Sequence, residues 1–262
     1  MDLDKALQVC LEAVHDAGRL TLGYFGRALE PRVKDDLTPV TEADVRAEEL
    51  IRSRLEAAFP DHGVVGEEHG ATNEGAEARW YVDPIDGTKS FVRGVPLYGV
   101  LLALEVAGEV VVGAAAFPAL GETVYAAKGR GAYLNGRRVR VRETASLADA
   151  VVTCTDAGAF DRAGMGEAWR RLMARAYHRP GWGDAYGHAC VATGRAEVML
   201  DPVLAPHDAG PFGVILREAG GYFGDLRGNE GIHGGSGLSC TRTLLPQVLA
   251  VLNGEEPGPA VS

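Results

Sequence analysis

The stretch Trp80-Tyr81-Val82-Asp83-Pro84-Ile85-Asp86-Gly87-Thr88-Lys89-Ser90-Phe91 is an apolar, strand-like run that stops abruptly at two carboxylates, a glycine and a threonine. Asp83 and Asp86 flank a proline-containing turn on short side chains, so both can point toward one centre. Hard oxygen donors held this closely suit Mg²⁺, which binds through few carboxylates and keeps waters and phosphate oxygens as its other ligands. Gly87 and Thr88 then offer backbone N–H groups at the start of a helical turn, a seat for phosphate. Asp, Pro and Gly are also turn formers, so by itself the stretch can be read as a plain loop. A metal site beside a phosphate site would instead mean metal-assisted phosphoryl chemistry.

Upstream, Thr41 followed by Asp44 is a capping signature that opens a helix running through Phe59, with Val45, Leu50, Ile51 and Leu55 as its apolar points. Residues 1 to about 28 read as an amphipathic helix ending at Gly26, with Leu3, Leu7, Cys10, Leu11 and Val14 at helical spacing. Pro60-Asp61-His62-Gly63 breaks the second helix, Val64-Val65 forms a short strand that delivers Glu67 and Glu68, and 71–78 reads as a polar loop.

Downstream the pattern is a β-meander: Leu97 to Val106 and Val110 to Phe117 around an Ala107-Gly108-Glu109 turn, then Thr123 to Ala127, Gly131 to Leu134 and Arg138 to Arg142, with Asn135-Gly136 as a hairpin turn. Glu143 to Asp149 is the expected boundary between an N-terminal α+β half (1–145) and a C-terminal α/β half (146–255), with 256–262 as a disordered tail. Beyond the boundary strand and helix alternate through Ala150–Thr155, Glu167–Tyr177, Ala185–Thr193, Ala196–Leu200, Asp208–Glu218, Gly221–Phe223 and Leu244–Leu252.

Bulk properties narrow the function classes. At 262 residues the chain can bury a large core, and 46% hydrophobic with 24% charged residues is ordinary for a globular protein. A net charge of −10 argues against a nucleic-acid or anionic-membrane surface. Cys10, Cys154, Cys190 and Cys240 are widely spaced with no C-x-x-C pair, which points to free thiols in a reducing cytoplasm. The acidic, amphipathic N-terminus reads as neither signal nor transit peptide, and the apolar region 95–119 is interrupted by Glu105 and Glu109. There is no P-loop, H-E-x-x-H or G-x-S-x-G motif, and His62, His69, His188, His207 and His233 lack metal-ligand spacing.

Four ordered blocks spanning nearly the whole chain resemble the inositol monophosphatase-like phosphatases. They are Lys34 with Thr41-Glu42-Ala43-Asp44; Gly66-Glu67-Glu68; Asp83-Pro84-Ile85-Asp86-Gly87-Thr88 with Phe91 and Pro96; and Asp208 leading through Ile215 to Glu218-Ala219-Gly220-Gly221. The resemblance implies a layered α/β/α/β/α sandwich, hydrolysis of a small phosphate monoester, a homodimer, and two or three Mg²⁺ per site. It assigns Glu67 and the Ile85 carbonyl to the first metal, Asp83 as a bridge, and Asp86 with Asp208 to the second. Thr88 and Glu67 would orient and deprotonate the attacking water, Asp44 would hydrogen-bond Thr88, and the N–H groups of Gly87 and Thr88 would hold phosphate oxygens. Lys34 and Lys89 are candidate neighbours of the acidic cluster and the substrate.

The fourth block departs from the family, with His207 where tryptophan is usual and Gly210-Pro211-Phe212 in place of a run of small residues. In Gly181-Trp182-Gly183-Asp184-Ala185-Tyr186-Gly187, Asp184 replaces a small residue that faces the leaving group in polyol phosphatases, and Asp201 stands where a family carboxylate meets substrate hydroxyls. Two acids on that side suit a cationic substrate. These features resemble the histidinol-phosphatase branch, which implies histidinol phosphate as substrate and a place in histidine biosynthesis. The alternatives are an inositol-1-phosphate or broad sugar-phosphate phosphatase and a non-catalytic binding protein of the same fold. A further alternative makes Asp184 only a helix cap.

Overall fold

The computed structural model describes residues 2–27, 32–33 and 39–256. Lys34 and positions 257–262 of the expected tail lie outside the described residues. Helix α1 (Leu3–Leu22) opens the chain, its first N–H groups capped by the Asp2 carboxylate. An antiparallel pair, β1 (Arg32–Val33) and β2 (Pro39–Val40), leads to α2 (Glu42–Ala58). The expected capping box is formed: Thr41 Oγ1 accepts from the Ala43 N–H at 3.2 Å, and Asp44 Oδ2 accepts from the Thr41 N–H at 2.8 Å.

The meander builds one large sheet. It contains β3 (Gly63–Gly66), β4 (Gly70–Thr72), β5 (Ala78–Asp86) and, after the single-turn helix α3 (Thr88–Phe91), β6 (Gly99–Val106), β7 (Glu109–Phe117), β8 (Glu122–Ala127), β9 (Gly131–Leu134) and β10 (Arg137–Val139). The strand order is β10-β9-β8-β7-β6-β5-β3-β4, and β3–β5 is its parallel pair. The two expected hairpin turns form with consecutive left-handed residues, Ala107-Gly108 (φ 51° and 81°) and Asn135-Gly136 (φ 49° and 81°). That geometry matches the twist of the flanking strands. The expected 71–78 loop is shorter, because Gly70–Thr72 folds back on β3 and β5 begins at Ala78. All three β4 residues are exposed, so no alternation marked them as a strand.

A smaller sheet carries β11 (Val152–Cys154), β12 (Val198–Asp201), β13 (Gly221–Gly224) and β14 (Gly237–Thr241), in the order β11-β12-β14-β13. Around it lie α4 (Ala157–Arg162), α5 (Gly166–Arg175), α6 (Asp184–Ala192), α7 (Pro206–Glu218) and α8 (Leu245–Leu252). Neither α4 nor β14 was expected: α4 is a short helix, and β14 is made largely of small residues.

Side-chain alternation fixes the stacking. On β6, Val100, Leu102 and Leu104 pack with α1 and α2, while Leu101 and Ala103 join the cluster around α6 and α7. On β12, Met199 faces that same middle layer, and Val198 and Leu200 face α5 and α8. The result is the expected α/β/α/β/α sandwich. Helix α7 lies close on the large sheet because glycines line the contact: a Cβ on Gly113 would stand 2.7 Å from the Pro211 backbone, and one on Gly210 would stand 2.9 Å from the Ala103 Cβ. Pro211 removes one helical hydrogen bond from α7, an interior cost of about 3 kcal/mol in an isolated helix. Among the described residues no helix is long and apolar enough to cross a membrane.

Candidate active site

The alternation that sends Trp80 and Val82 toward α1 and α2 turns Tyr81 and Asp83 to the middle layer. Asp83 is buried, and its Oδ1 accepts from the Ile85 N–H at 3.0 Å across the proline turn. The register between β5 and β6 shifts between Asp83 and Asp86, which re-aims Asp86 at the end of its strand. Asp86 Oδ2 then accepts from the Ala185 N–H at the start of α6, at 2.8 Å. Asp208 enters from the first turn of α7, where its Oδ2 accepts from the Ala205 N–H at 3.0 Å. Carboxylate oxygens of Asp83, Asp86 and Asp208, from two distant parts of the chain, lie within 4.8 Å of one another.

Such proximity is unfavourable for the bare protein. Burial pushes the Asp83 carboxyl well above its ordinary range, and Glu67, Asp208 and Asp86 push it further. Asp86 is raised by burial and then by Asp184 and Asp208. Asp208 is raised mainly by burial, opposed by His207, whose Nε2 is 3.4 Å from Asp208 Oδ1. Like charges this close want a cation, and an all-oxygen donor set fits Mg²⁺. Glu67 lines the same cleft from the end of β3, its N–H bonded to the Val82 carbonyl at 3.2 Å. The turn after it is anchored by buried Glu48, which accepts from the N–H groups of Glu68 at 2.7 Å and His69 at 3.1 Å.

Gly87 takes φ 78° at the N-cap of α3, so a glycine is needed where strand becomes helix. The first N–H groups of any helix lack intrahelical partners, which leaves this turn disposed toward an anion. Thr88 Oγ1 donates to the Ile85 carbonyl at 3.1 Å, so the expected Asp44–Thr88 hydrogen bond is not formed. Asp44 Oδ2 is instead taken by the nearby N–H and hydroxyl of Thr41, at 2.8 and 2.5 Å. Asp44 Oδ1 is buried with no hydrogen-bond partner among the described residues, and burial raises the carboxyl.

The cleft, about 270 Å³, extends from Glu67 and Thr88 past exposed Lys89 to Asp184, Asp201 and Val203. Asp184 is a non-glycine residue at φ 53°, the left-handed region that aspartate enters more readily than most residues but that still costs backbone energy. Its N–H donates to Thr155 Oγ1 at 2.7 Å. Asp184 is the first residue of α6 rather than its cap: Gly183 holds the cap position without a side-chain bond, and Asp86 receives the Ala185 N–H. The capping alternative is thereby removed. Burial raises the Asp184 carboxyl to about 6, with Asp201 adding to the rise and Lys89 opposing it.

Asp201, at the end of β12, is buried, with Oδ1 accepting from the Thr155 N–H at 3.2 Å and Oδ2 facing His188 Nε2 at 3.2 Å. Thr155 and His188 were not among the sequence candidates. Thr155 belongs to no motif, and His188 was considered only for metal spacing. No local spacing marks His188, whose partners Asp201 and Ser239 lie 13 and 51 residues away along the chain. Phe212, one of the departures from the family pattern, is fully buried with its ring 5.1 Å from that of His188.

Comparison with known proteins places this arrangement in context. The sequence profile described as the inositol monophosphatase family matches residues 2–255. A histidinol-phosphatase of Chlorobaculum parvum is 45% identical over 252 residues, covering 95% of this chain and 97% of that protein. A histidinol-phosphatase of Mycobacterium tuberculosis is 36% identical over 254 residues, covering 94% of this chain and 97% of that one. Among solved structures, an IMPase of Thermotoga maritima superposes with a TM-score of 0.85 at 31% identity, over 97% of this chain and 98% of that one.

Proposed function

This chain belongs to the inositol monophosphatase family, and from that premise we propose that it is a Mg²⁺-dependent phosphomonoester hydrolase that converts histidinol phosphate and water to histidinol and phosphate. The observation that carries the substrate is the placement of Asp184 and Asp201 on the leaving-group side of the cleft that holds Asp83, Asp86 and Asp208. An ammonium there would relieve the same burial and repulsion that raise Asp184. The names of the two histidinol-phosphatases support the same substrate.

Asp83, Asp86, Asp208, Glu67 and the Ile85 carbonyl would hold two or three Mg²⁺. Bound there, the metal supplies a lowered pKa for water and draws negative charge off the phosphoryl group. The N–H groups of Gly87 and Thr88 hold the non-bridging phosphate oxygens, which gather charge as the ester bond breaks. The Thr88 hydroxyl orients the attacking water, and Glu67 accepts its proton. Asp44 holds the entry of α2 in place through the Thr41 cap. Asp184 and Asp201 receive the donors of the leaving group. A homodimer in the cytoplasm is the setting we infer from the family, and light scattering tests its stoichiometry.

The test is phosphate release from histidinol phosphate, inositol 1-phosphate, fructose 1,6-bisphosphate and phosphoadenosine phosphate, with Mg²⁺ and with EDTA. The expected result is the highest kcat/KM for histidinol phosphate, abolished by EDTA. The relatedness to an IMPase favours inositol 1-phosphate as the second reading, and a preference for that ester would replace the first. No release from any ester would leave a binding protein of this fold.

A further inference from the structure

Behind Asp201 runs a buried line of polar groups that takes no part in holding phosphate. Asp201 Oδ2 is 3.2 Å from His188 Nε2, and His188 Nδ1 is 2.7 Å from Ser239 Oγ. Exposures are 4% for Asp201, 1% for His188 and 0% for Ser239, and the imidazole is flanked by the rings of Phe212 and Phe223 at 5.1 and 5.6 Å. A partner lost at this depth leaves a buried polar group unpaired. The three residues come from α6, β12 and β14, and the sheet register sets their spacing: Asp201 pairs with Gly237 and Met199 with Ser239. Opposite Asp201 a Cβ on Gly237 would meet Leu204 Cδ2 at 2.5 Å and come within 3.3 Å of His188 Cε1, so a glycine keeps this wall of the imidazole pocket uncrowded.

For a neutral imidazole facing an ionised carboxylate, the donors and acceptors allow one arrangement. A neutral imidazole has one donor and one acceptor, and an ionised carboxylate only accepts. Nε2–H therefore donates to Asp201, and Nδ1 accepts from the Ser239 hydroxyl. Every member is satisfied without protonating Asp201. With the Thr155 N–H on its other oxygen, the carboxylate is held at both ends and keeps its remaining lone pairs for the cleft. A flexible carboxylate would have to be ordered each time a ligand bound, and one already fixed avoids that cost.

We propose that His188, oriented by Ser239, is the positioning residue that fixes Asp201 as an anionic acceptor for a cationic leaving group. The proposal rests on the reading of this side of the cleft as the site of such a group. It separates two functions in one pocket: loss of His188 should impair recognition of the leaving group and spare phosphate chemistry.

The experiment compares His188→Ala, His188→Gln and Ser239→Ala on histidinol phosphate and on p-nitrophenyl phosphate, whose leaving group carries no donor. For His188→Ala we expect KM for histidinol phosphate to rise about tenfold with kcat within about twofold, and kcat/KM for the aryl ester to stay within about twofold. His188→Gln, whose amide N–H can take the place of Nε2–H, should recover most of the loss, and Ser239→Ala should lose about threefold. Equal losses on both substrates, or a glutamine variant no better than alanine, overturn the proposal. The ¹⁵N spectrum of the wild-type imidazole is a check that depends on neither substrate nor variant folding: a neutral Nε2–H ring is expected, and an Nδ1–H or doubly protonated ring overturns the clamp. If the wild-type enzyme instead prefers inositol 1-phosphate, the substrate reading fails alone, and the same split against the aryl ester still decides the role of His188.

Discussion

The two ends of the cleft are built differently. At the phosphate end Asp83, Asp86 and Thr88 follow one another at the end of one strand, and Asp208 joins them from the first turn of α7. At the leaving-group end Asp184, Asp201, Thr155, His188 and Ser239 come from α6, from β12, β14 and the residue after β11, and hold one another through hydrogen bonds. The first end gathers like charges that repel until a cation arrives. At the second, Asp201, His188 and Ser239 are satisfied by one another and by Thr155, while the Asp184 carboxyl remains raised by burial and by Asp201. Under the proposed function the first end serves the chemistry, at some cost to the fold, and the second selects the leaving group.

The sharpest way to break this contrast is to neutralise the centre of the phosphate end. Asp83→Asn keeps the shape and removes a buried charge. Activity on every ester should fall by a factor on the order of a thousand or more, since the group that would bridge the metals is lost. The metal-free variant should melt no lower than the parent, because burial and three neighbouring carboxylates already oppose the Asp83 charge. Kinetics with a parallel thermal melt checks both. Near-parental turnover in a folded variant would move the chemistry elsewhere.

At the other end the largest single change should be selective rather than total. Asp184→Asn removes the charge yet tolerates the φ of 53°, because asparagine enters the left-handed region more readily than most residues. KM for histidinol phosphate should rise about tenfold, while kcat/KM for inositol 1-phosphate should change by no more than about twofold. Alanine at this site is a less clean probe, since it adds backbone strain of about 1 kcal/mol or more. If both substrates lose equally, Asp184 belongs with the acidic cluster and the division of the cleft is wrong.

The same contrast governs what could be read from the chain. Local signals were legible: Thr41 and Asp44 three residues apart gave the capping box, Asn135-Gly136 gave its hairpin, and the break at Asp83-Pro84-Ile85-Asp86 gave two of the clustered acids. Asp208 came from the ordered blocks of the family resemblance. The Asp44–Thr88 bond failed because the Thr88 hydroxyl gives its one proton to the Ile85 carbonyl three residues back, a choice of partner that residue types do not reveal. The Asp201–His188–Ser239 line was invisible for a related reason. It depends on the register of β12 against β14 and on the space left by Gly237, and neither is written into any one segment.

The smallest effect follows from protons and metal competing for one set of oxygens. Asp83, Asp86 and Asp208 are raised in the folded protein, and Asp184 is raised to about 6, against about 3.9 in an unfolded chain. A raised carboxylate means the folded state binds more protons, so stability falls as pH climbs from the unfolded value through the folded one. Without metal the melting temperature should therefore drop between pH 5 and pH 8, by an amount on the order of 5 °C for a chain of this size. Mg²⁺ binds the ionised oxygens and should reverse the trend, raising the melting temperature more at pH 8 than at pH 5. Asp83→Asn should flatten the metal-free slope, whereas Asp184→Asn should remove only the portion that falls between about pH 4 and pH 6. A metal-free slope of the opposite sign would mean that the acids at the phosphate end are compensated within the protein, and that the two ends of the cleft do not differ in the way their geometry implies.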